Sequence, residues 1–184
     1  MKRIIALMGM LLVSTSSHAI EYKTLLTDKS QVGFVYKQMG VTMDGKFKRF
    51  AAQLSVDPAK PQQAKASIEV DLASIDTGTE ADQEVQGKPW FNSAAFPKAS
   101  FVASQIKRTG PQEFEVVGKL TIKGKTVDLK FPLQYAVQGN SGVFKGSFVI
   151  RRADFNIGEG TWAKFDVVAN DIQVNFQLTA QSGK

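Results

Sequence analysis

The residue types that do most protein chemistry near neutral pH are nearly absent from this chain. It has no cysteine and a single histidine, His18, so thiolate and imidazole metal sites and histidine-assisted nucleophiles lack their parts. Carboxylates remain. Glu80, Asp82 and Glu84 lie close in sequence, but on a helix only Glu80 and Glu84 share a face, and such a like-charged pair is ordinarily just solvated. Asp154, Glu159, Asp166 and Asp171 come late in the chain. Asp154 to Glu159 alternates with aromatics as a strand end does, and Asp166 sits between Phe165 and Val167 like a strand's polar position. No oxygen-rich spacing matches a calcium loop. There is no Gly-x-Ser-x-Gly elbow and no glycine-rich phosphate cradle. A hydrolase using Glu80 or Asp154 is the one catalytic reading left, and binding without catalysis is expected instead.

His18 itself belongs to a segment with the form of a secretory signal. Lys2 and Arg3 precede an apolar run from Ile4 to Val13, and Ser17-His18-Ala19 forms a cleavage site. The run of about ten residues is half the length of a membrane-spanning helix. The pattern predicts removal of residues 1–19 and export to a periplasm, with residues 20–184 as one domain. No cysteine follows the cleavage site to take a lipid anchor. A domain of about 165 residues buries enough apolar surface to fold without disulfides.

The formal charge is +6, of which Lys2 and Arg3 would leave with the signal. The other basic residues are dispersed, and Lys119, Lys123, Lys125 and Lys130 are expected on a solvated sheet face that also guards strand edges. That dispersal does not make a nucleic-acid surface.

Period-two alternation dominates the rest of the chain. Val32, Phe34 and Tyr36 share one face, as do Val41, Met43, Gly45 and Phe47, then Ile68, Val70 and Leu72. Phe114 to Ile122, Val127 to Tyr135, Phe144 to Ile150 and Ile172 to Leu178 repeat the pattern. Asp57-Pro58 with Pro61, Thr109-Gly110-Pro111, Lys123-Gly124-Lys125 and Gly139-Asn140-Ser141-Gly142 punctuate it as turns, and connections this short favour antiparallel neighbours. The expectation is an all-β fold, an antiparallel eight-stranded barrel with one short helix. That helix starts at Thr79, capped with Asp82, and stops at Gly87-Lys88-Pro89. Trp90, Phe91 and Phe96 follow in an aromatic-rich loop, as a plug or as a lid over a ligand.

All thirteen phenylalanines lie after the signal, mostly on inward positions. Inward glycines at Gly45, Gly118 and Gly146 are expected to mark a kink or open space, because each leaves out a side chain where packing wants one. The sum is an apolar tunnel. Its wall is assigned to Phe34, Tyr36, Phe47, Val70, Leu120, Phe131, Phe148 and Phe176, and its ends to Phe91, Phe96, Phe101, Phe155 and Trp162. Arg151 or Arg152 is the candidate for a phosphate.

Six segments, in order, resemble the YceI family of polyisoprenoid-binding, lipocalin-like bacterial proteins. They are Asp28 to Phe34, Gly40 to Phe47, Val70 to Gly78, Phe96-Pro97-Lys98-Ala99-Ser100-Phe101, Gly118 to Thr126, and Arg152-Ala153-Asp154-Phe155-Asn156-Ile157-Gly158. The resemblance implies an eight-stranded barrel whose pore takes an isoprenoid lipid of the quinone or polyprenyl phosphate type, with no other cofactor and no metal. It also implies barrels able to pair as homodimers. Many members carry a histidine after the first strand and an Arg-Asp-x-His-Leu run in the helix; this chain has Gln38 and Gln83-Glu84-Val85-Gln86-Gly87 there, so its head-group end is altered. The leading expectation is a non-enzymatic lipid carrier used in transport. The alternative is a filled barrel whose loops bind an inner-membrane redox or stress-response partner.

Overall fold

Alternating apolar and polar residues give the longer strands a dry face and a wet one, and the eleven strands among the described residues curl into one antiparallel sheet. The structure, a computed structural model, describes residues 20–183, so the segment assigned to export lies outside the described residues. The strands are β1 (Tyr22–Leu25), β2 (Gln31–Gln38), β3 (Val41–Phe47), β4 (Phe50–Ser55), β5 (Lys65–Asp71) and β6 (Ile75–Asp76). After them come β7 (Lys98–Arg108), β8 (Glu113–Ile122), β9 (Lys125–Gln138), β10 (Ser141–Arg151) and β11 (Asp171–Ser182). Their order across the sheet is β4, β5, β7, β8, β9, β10, β11, β2, β3, β6, with β1 on β11.

Two features of this sheet depart from the expected eight-stranded closed barrel. The additional strands include the short β1, β4 and β6, and β4 carries Ala51 and Ala52 where a clear apolar-polar rhythm would announce a strand. The barrel is also open: β3 and β4 follow one another in sequence but do not pair. The two residues between them are committed elsewhere, since Lys48 donates its amide to the Ser74 carbonyl at 3.0 Å and the Arg49 carbonyl accepts from the Asp71 amide at 3.0 Å. At the opposite corner the sheet meets itself, where the Tyr22 and Val56 backbones exchange hydrogen bonds of 2.8 and 3.1 Å.

The helix is shorter than its sequence signals. It covers α1 (Asp82–Val85), because Asp82 reaches back to accept both the amide and the hydroxyl of Thr77 at 2.7 Å, while Thr79 accepts from the Ala81 amide at 3.2 Å. The Lys123-Gly124 connection is the expected two-residue hairpin, with φ of 49° and 73°. Lys123, however, is not on a solvated face. Its side chain is 7% exposed and donates to Glu159 at 2.7 Å and to the carbonyls of Asn156 and Lys88 at 2.7 and 3.0 Å. Lys119 and Lys130 do lie outside, paired across strands with Asp128 and Glu115.

The inward glycines do not mark empty space. Gly45 pairs with Phe34 and Gly146 with Phe176 across neighbouring strands, and in each case the phenylalanine ring occupies the volume that a glycine Cβ would need. Gly118 is covered in the same way by Phe101. Aromatic rings lying over cross-strand glycines let large side chains share a narrow interior.

Of the late carboxylates, Asp171 opens β11, while Asp154, Glu159 and Asp166 sit in irregular structure rather than in strands. Arg152–Phe155 and Gly160–Trp162 are short 3-10 turns, Asn156 has a φ of 55°, and Asp166 belongs to the loop that leads into β11. Both expected strand positions are therefore corrected, and one arginine accounts for the loop's path.

Candidate functional site

Arg152 is 2% exposed, yet no carboxylate among the described residues pairs with it. Its guanidinium instead donates to six backbone carbonyls: Ala169, Ile157, Gly158, Trp162, Lys164 and Val168, at 2.8 to 3.2 Å. Five N–H groups serve six oxygens, so every donor is used. The rings of Trp90 and Phe165 lie 5.6 and 5.0 Å from its central carbon and add cation–π contact. Burial pulls its pKa below the ordinary arginine value, and the ring of carbonyl dipoles holds the cation there. Residues 152–169 are wound around this one side chain. As a phosphate receptor Arg152 is excluded, because no donor remains free. Arg151 is outside and paired with Asp154 at 2.9 Å.

Above this loop the inward faces of β2, β3, β5, β8, β10 and β11 enclose a cavity of about 190 Å³, closed over by α1 and the chain at Trp90 and Phe91. It brings together Phe34, Tyr36, Phe47, Val70, Phe91, Leu120, Phe148 and Trp162 of the sequence-assigned residues. A second, smaller cavity of about 60 Å³ takes Phe101, Phe131 and Phe176, along with Leu54, Phe114 and Phe144. Between the two stand rings packed at a tilt or edge to face. Phe131 lies 5.1 Å from Phe148, 5.4 Å from Phe101 and 5.7 Å from Phe176, centroid to centroid. The interior is thus two chambers with an aromatic partition, where one continuous tunnel was expected.

Two assigned residues lie elsewhere. Phe155 is 1% exposed in the core beneath the first 3-10 turn, and Phe96 is 37% exposed with its ring against Gly124 of the β8–β9 turn, outside the barrel. Alternation could not place either, because both sit in turns, where period two carries no information. The wall residues that sequence reasoning left out, among them Ile122, Ile150, Ile172 and Val174, have the inward parity of strands already recognised. Leu72 shares the parity of Ile68 and Val70 in the same way, whereas Trp90, in a turn, had no such signal.

The cavity lining is almost wholly hydrocarbon. Its polar members are Tyr36, Gln38, Thr77, Glu84, Arg152 and the two tryptophans, with Glu84 the only carboxylate and Arg152 the only cation. The Tyr36 hydroxyl donates weakly to the Thr77 carbonyl at 3.4 Å, and burial together with the nearby charge of Asp82 raises its pKa. Trp90 carries the one buried side-chain nitrogen or oxygen without a hydrogen-bond partner among the described residues. Asp82 and Asp154, tied to Thr77 and Arg151, stay out of the lining, and no group of three acidic or histidine residues among the described residues could hold a metal ion. The site can enclose an apolar chain; no nucleophile or acid-base pair is gathered in it.

Known proteins share this architecture. The structure of BcnA from Burkholderia cenocepacia superposes with a TM-score of 0.83 at 40% identity, covering 85% of this chain and 99% of that one. A polyisoprenoid binding domain from Saccharophagus degradans, implicated in plant cell wall breakdown, superposes with a TM-score of 0.66 at 16% identity over 90% of this chain and 99% of that one. Among curated relatives, a UPF0312 protein of Photorhabdus laumondii is 28% identical over 157 residues, which are 80% of this chain and 81% of the relative. The glycine-backed rings, the Lys123-Gly124 hairpin and the Arg152 loop all fall within residues 24–180, the span matched by the family model described as the YceI-like domain, and the chain belongs to the YceI family.

Proposed function

We propose that the protein is a non-enzymatic periplasmic carrier that shelters the hydrocarbon chain of an isoprenoid lipid. The observation that carries this reading is the 190 Å³ cavity, walled by aliphatic and aromatic side chains. Each methylene moved from water into such a wall contributes roughly 0.8 kcal/mol, so a branched chain binds by burial alone and needs no reacting group. Membership of the family and the Saccharophagus neighbour, a polyisoprenoid binding domain, support the same cargo. A cavity of about 150 Å³ is enough for a benzene-sized molecule, so the larger chamber as it stands takes the first isoprene units, and a longer chain displaces the partition rings. Export rests on the form of residues 1–19.

Native mass spectrometry of protein purified from its own host, followed by organic extraction, tests the proposal. A stoichiometric isoprenoid on a chain whose mass begins at Ile20 is the expected result; an empty protein that takes up no added isoprenol would end it.

A further inference from the structure

The cargo's polar end meets a site that has no free positive charge. Arg152 is the only cation lining the cavity, and its donors are all bound to carbonyl oxygens, so an anionic head approaching it would face those oxygens instead of N–H groups. The other charged lining group is Glu84, exposed on α1 in the cover of the cavity and of the wrong sign. No lysine lines the cavity: Lys37 is on the outer face of β2, Lys123 is bound to Glu159, and Lys88 and Lys164 are exposed to solvent. What the lining does offer is neutral hydrogen bonding, from the Gln38 amide, the weakly bonded Tyr36 hydroxyl and the unpartnered indole N–H of Trp90.

A phosphate with a charge between −1 and −2 would leave water for a site that returns only a few neutral donors and sets a carboxylate beside it. A hydroxyl or carbonyl head loses far less and is repaid by a single neutral donor. We infer that this site selects isoprenoid lipids with an uncharged, oxygen-bearing head and rejects the corresponding phosphates, with Glu84 as the discriminating residue. This inference rests on the carrier reading and narrows its cargo to one head-group class.

The chain's two tryptophans, Trp90 and Trp162, both line the cavity, so intrinsic fluorescence reports its occupancy directly. Geraniol and geranyl monophosphate carry the same short chain and differ only in the head. Titrated into the purified full-length mature chain, geraniol is expected to bind at least about ten-fold more tightly. Glu84→Gln is expected to raise affinity for the phosphate about three-fold or more, so that the ratio of geraniol to phosphate affinity narrows. Phosphate binding equal to or tighter than the alcohol overturns the inference and leaves the carrier reading standing. A gap that Glu84→Gln does not narrow overturns the role of Glu84. Failure of both ligands to bind removes the carrier reading and this inference with it.

Discussion

Arg152 shows how one side chain can replace a secondary-structure element. The loop from Ala153 to Ala169 has few backbone pairs of its own, and its carbonyls converge on a guanidinium that lies against Trp90. Substituting Arg152→Met leaves those carbonyls buried without donors, and a loss of about 3 kcal/mol or more is expected in urea unfolding. The glycines carry a second residue-scale prediction. A methyl at Gly146 collides with the Phe176 ring, so Gly146→Ala should cost about 1–3 kcal/mol even though it lowers the entropy of the unfolded chain. Calorimetry of that variant beside Ser147→Ala on the outer face isolates the clash. Tyr135 supplies a pH dependence. Burial, with the Tyr22 hydroxyl 2.8 Å away, holds its phenol above the usual tyrosine range. The folded chain thus keeps a proton that the unfolded chain releases near pH 10, so this part of the stability is complete below about pH 10 and is lost as the pH climbs further. Urea midpoints from pH 8 to 11 should fall less steeply for Tyr135→Phe than for the parent chain. None of these roles was visible in the sequence. Gly146 and Phe176 become neighbours only through the β10–β11 register, and an arginine flanked by Arg151 and Asp154 looks like a surface residue until its loop is closed.

At the scale of elements, the sequence announced β2, β3, β5, β8, β9, β10 and β11 by their alternation, and the tight turn that joins β8 to β9. It did not announce β1, β4 or β6, which are held by neighbours more than by pattern, nor β7, whose alternation is broken by a bulge between Ala103 and Gln105. It also misjudged the end of the β8–β9 hairpin, where Lys123 turns inward and ties the turn to the Arg152 loop through Glu159 and Asn156. Charge-assisted bonds of this kind contribute about 1.5–3 kcal/mol each at most. Lys123→Ala should therefore leave the sheet intact and loosen residues 156–162 selectively. Hydrogen exchange read by mass spectrometry is expected to show faster labelling there, with β10 and β11 unchanged.

For the whole molecule, the two chambers and the rings between them set how much cargo the interior holds. Removing one ring by Phe131→Ala merges the chambers. Stability should drop by about 3–5 kcal/mol, because a core phenylalanine is lost, while affinity shifts toward longer isoprenols. The check is the ratio of farnesol to geraniol affinity, expected to rise in the variant. An aromatic, glycine-spaced interior could be anticipated from residue order, whereas its division could not, since Phe101, Phe131, Phe148 and Phe176 come from four strands.

The unlaced boundary between β3 and β4 bears on that capacity. A fully hydrogen-bonded cylinder has a circumference fixed by its strand count. Here the perimeter is tied only at its corners, by Tyr22 with Val56 and Glu21 with Ser55 at one and by Lys48 and Arg49 with Ser74 and Asp71 at the other, so a bulky guest can be admitted by spreading a slit in the wall, with most of the ladder left untouched.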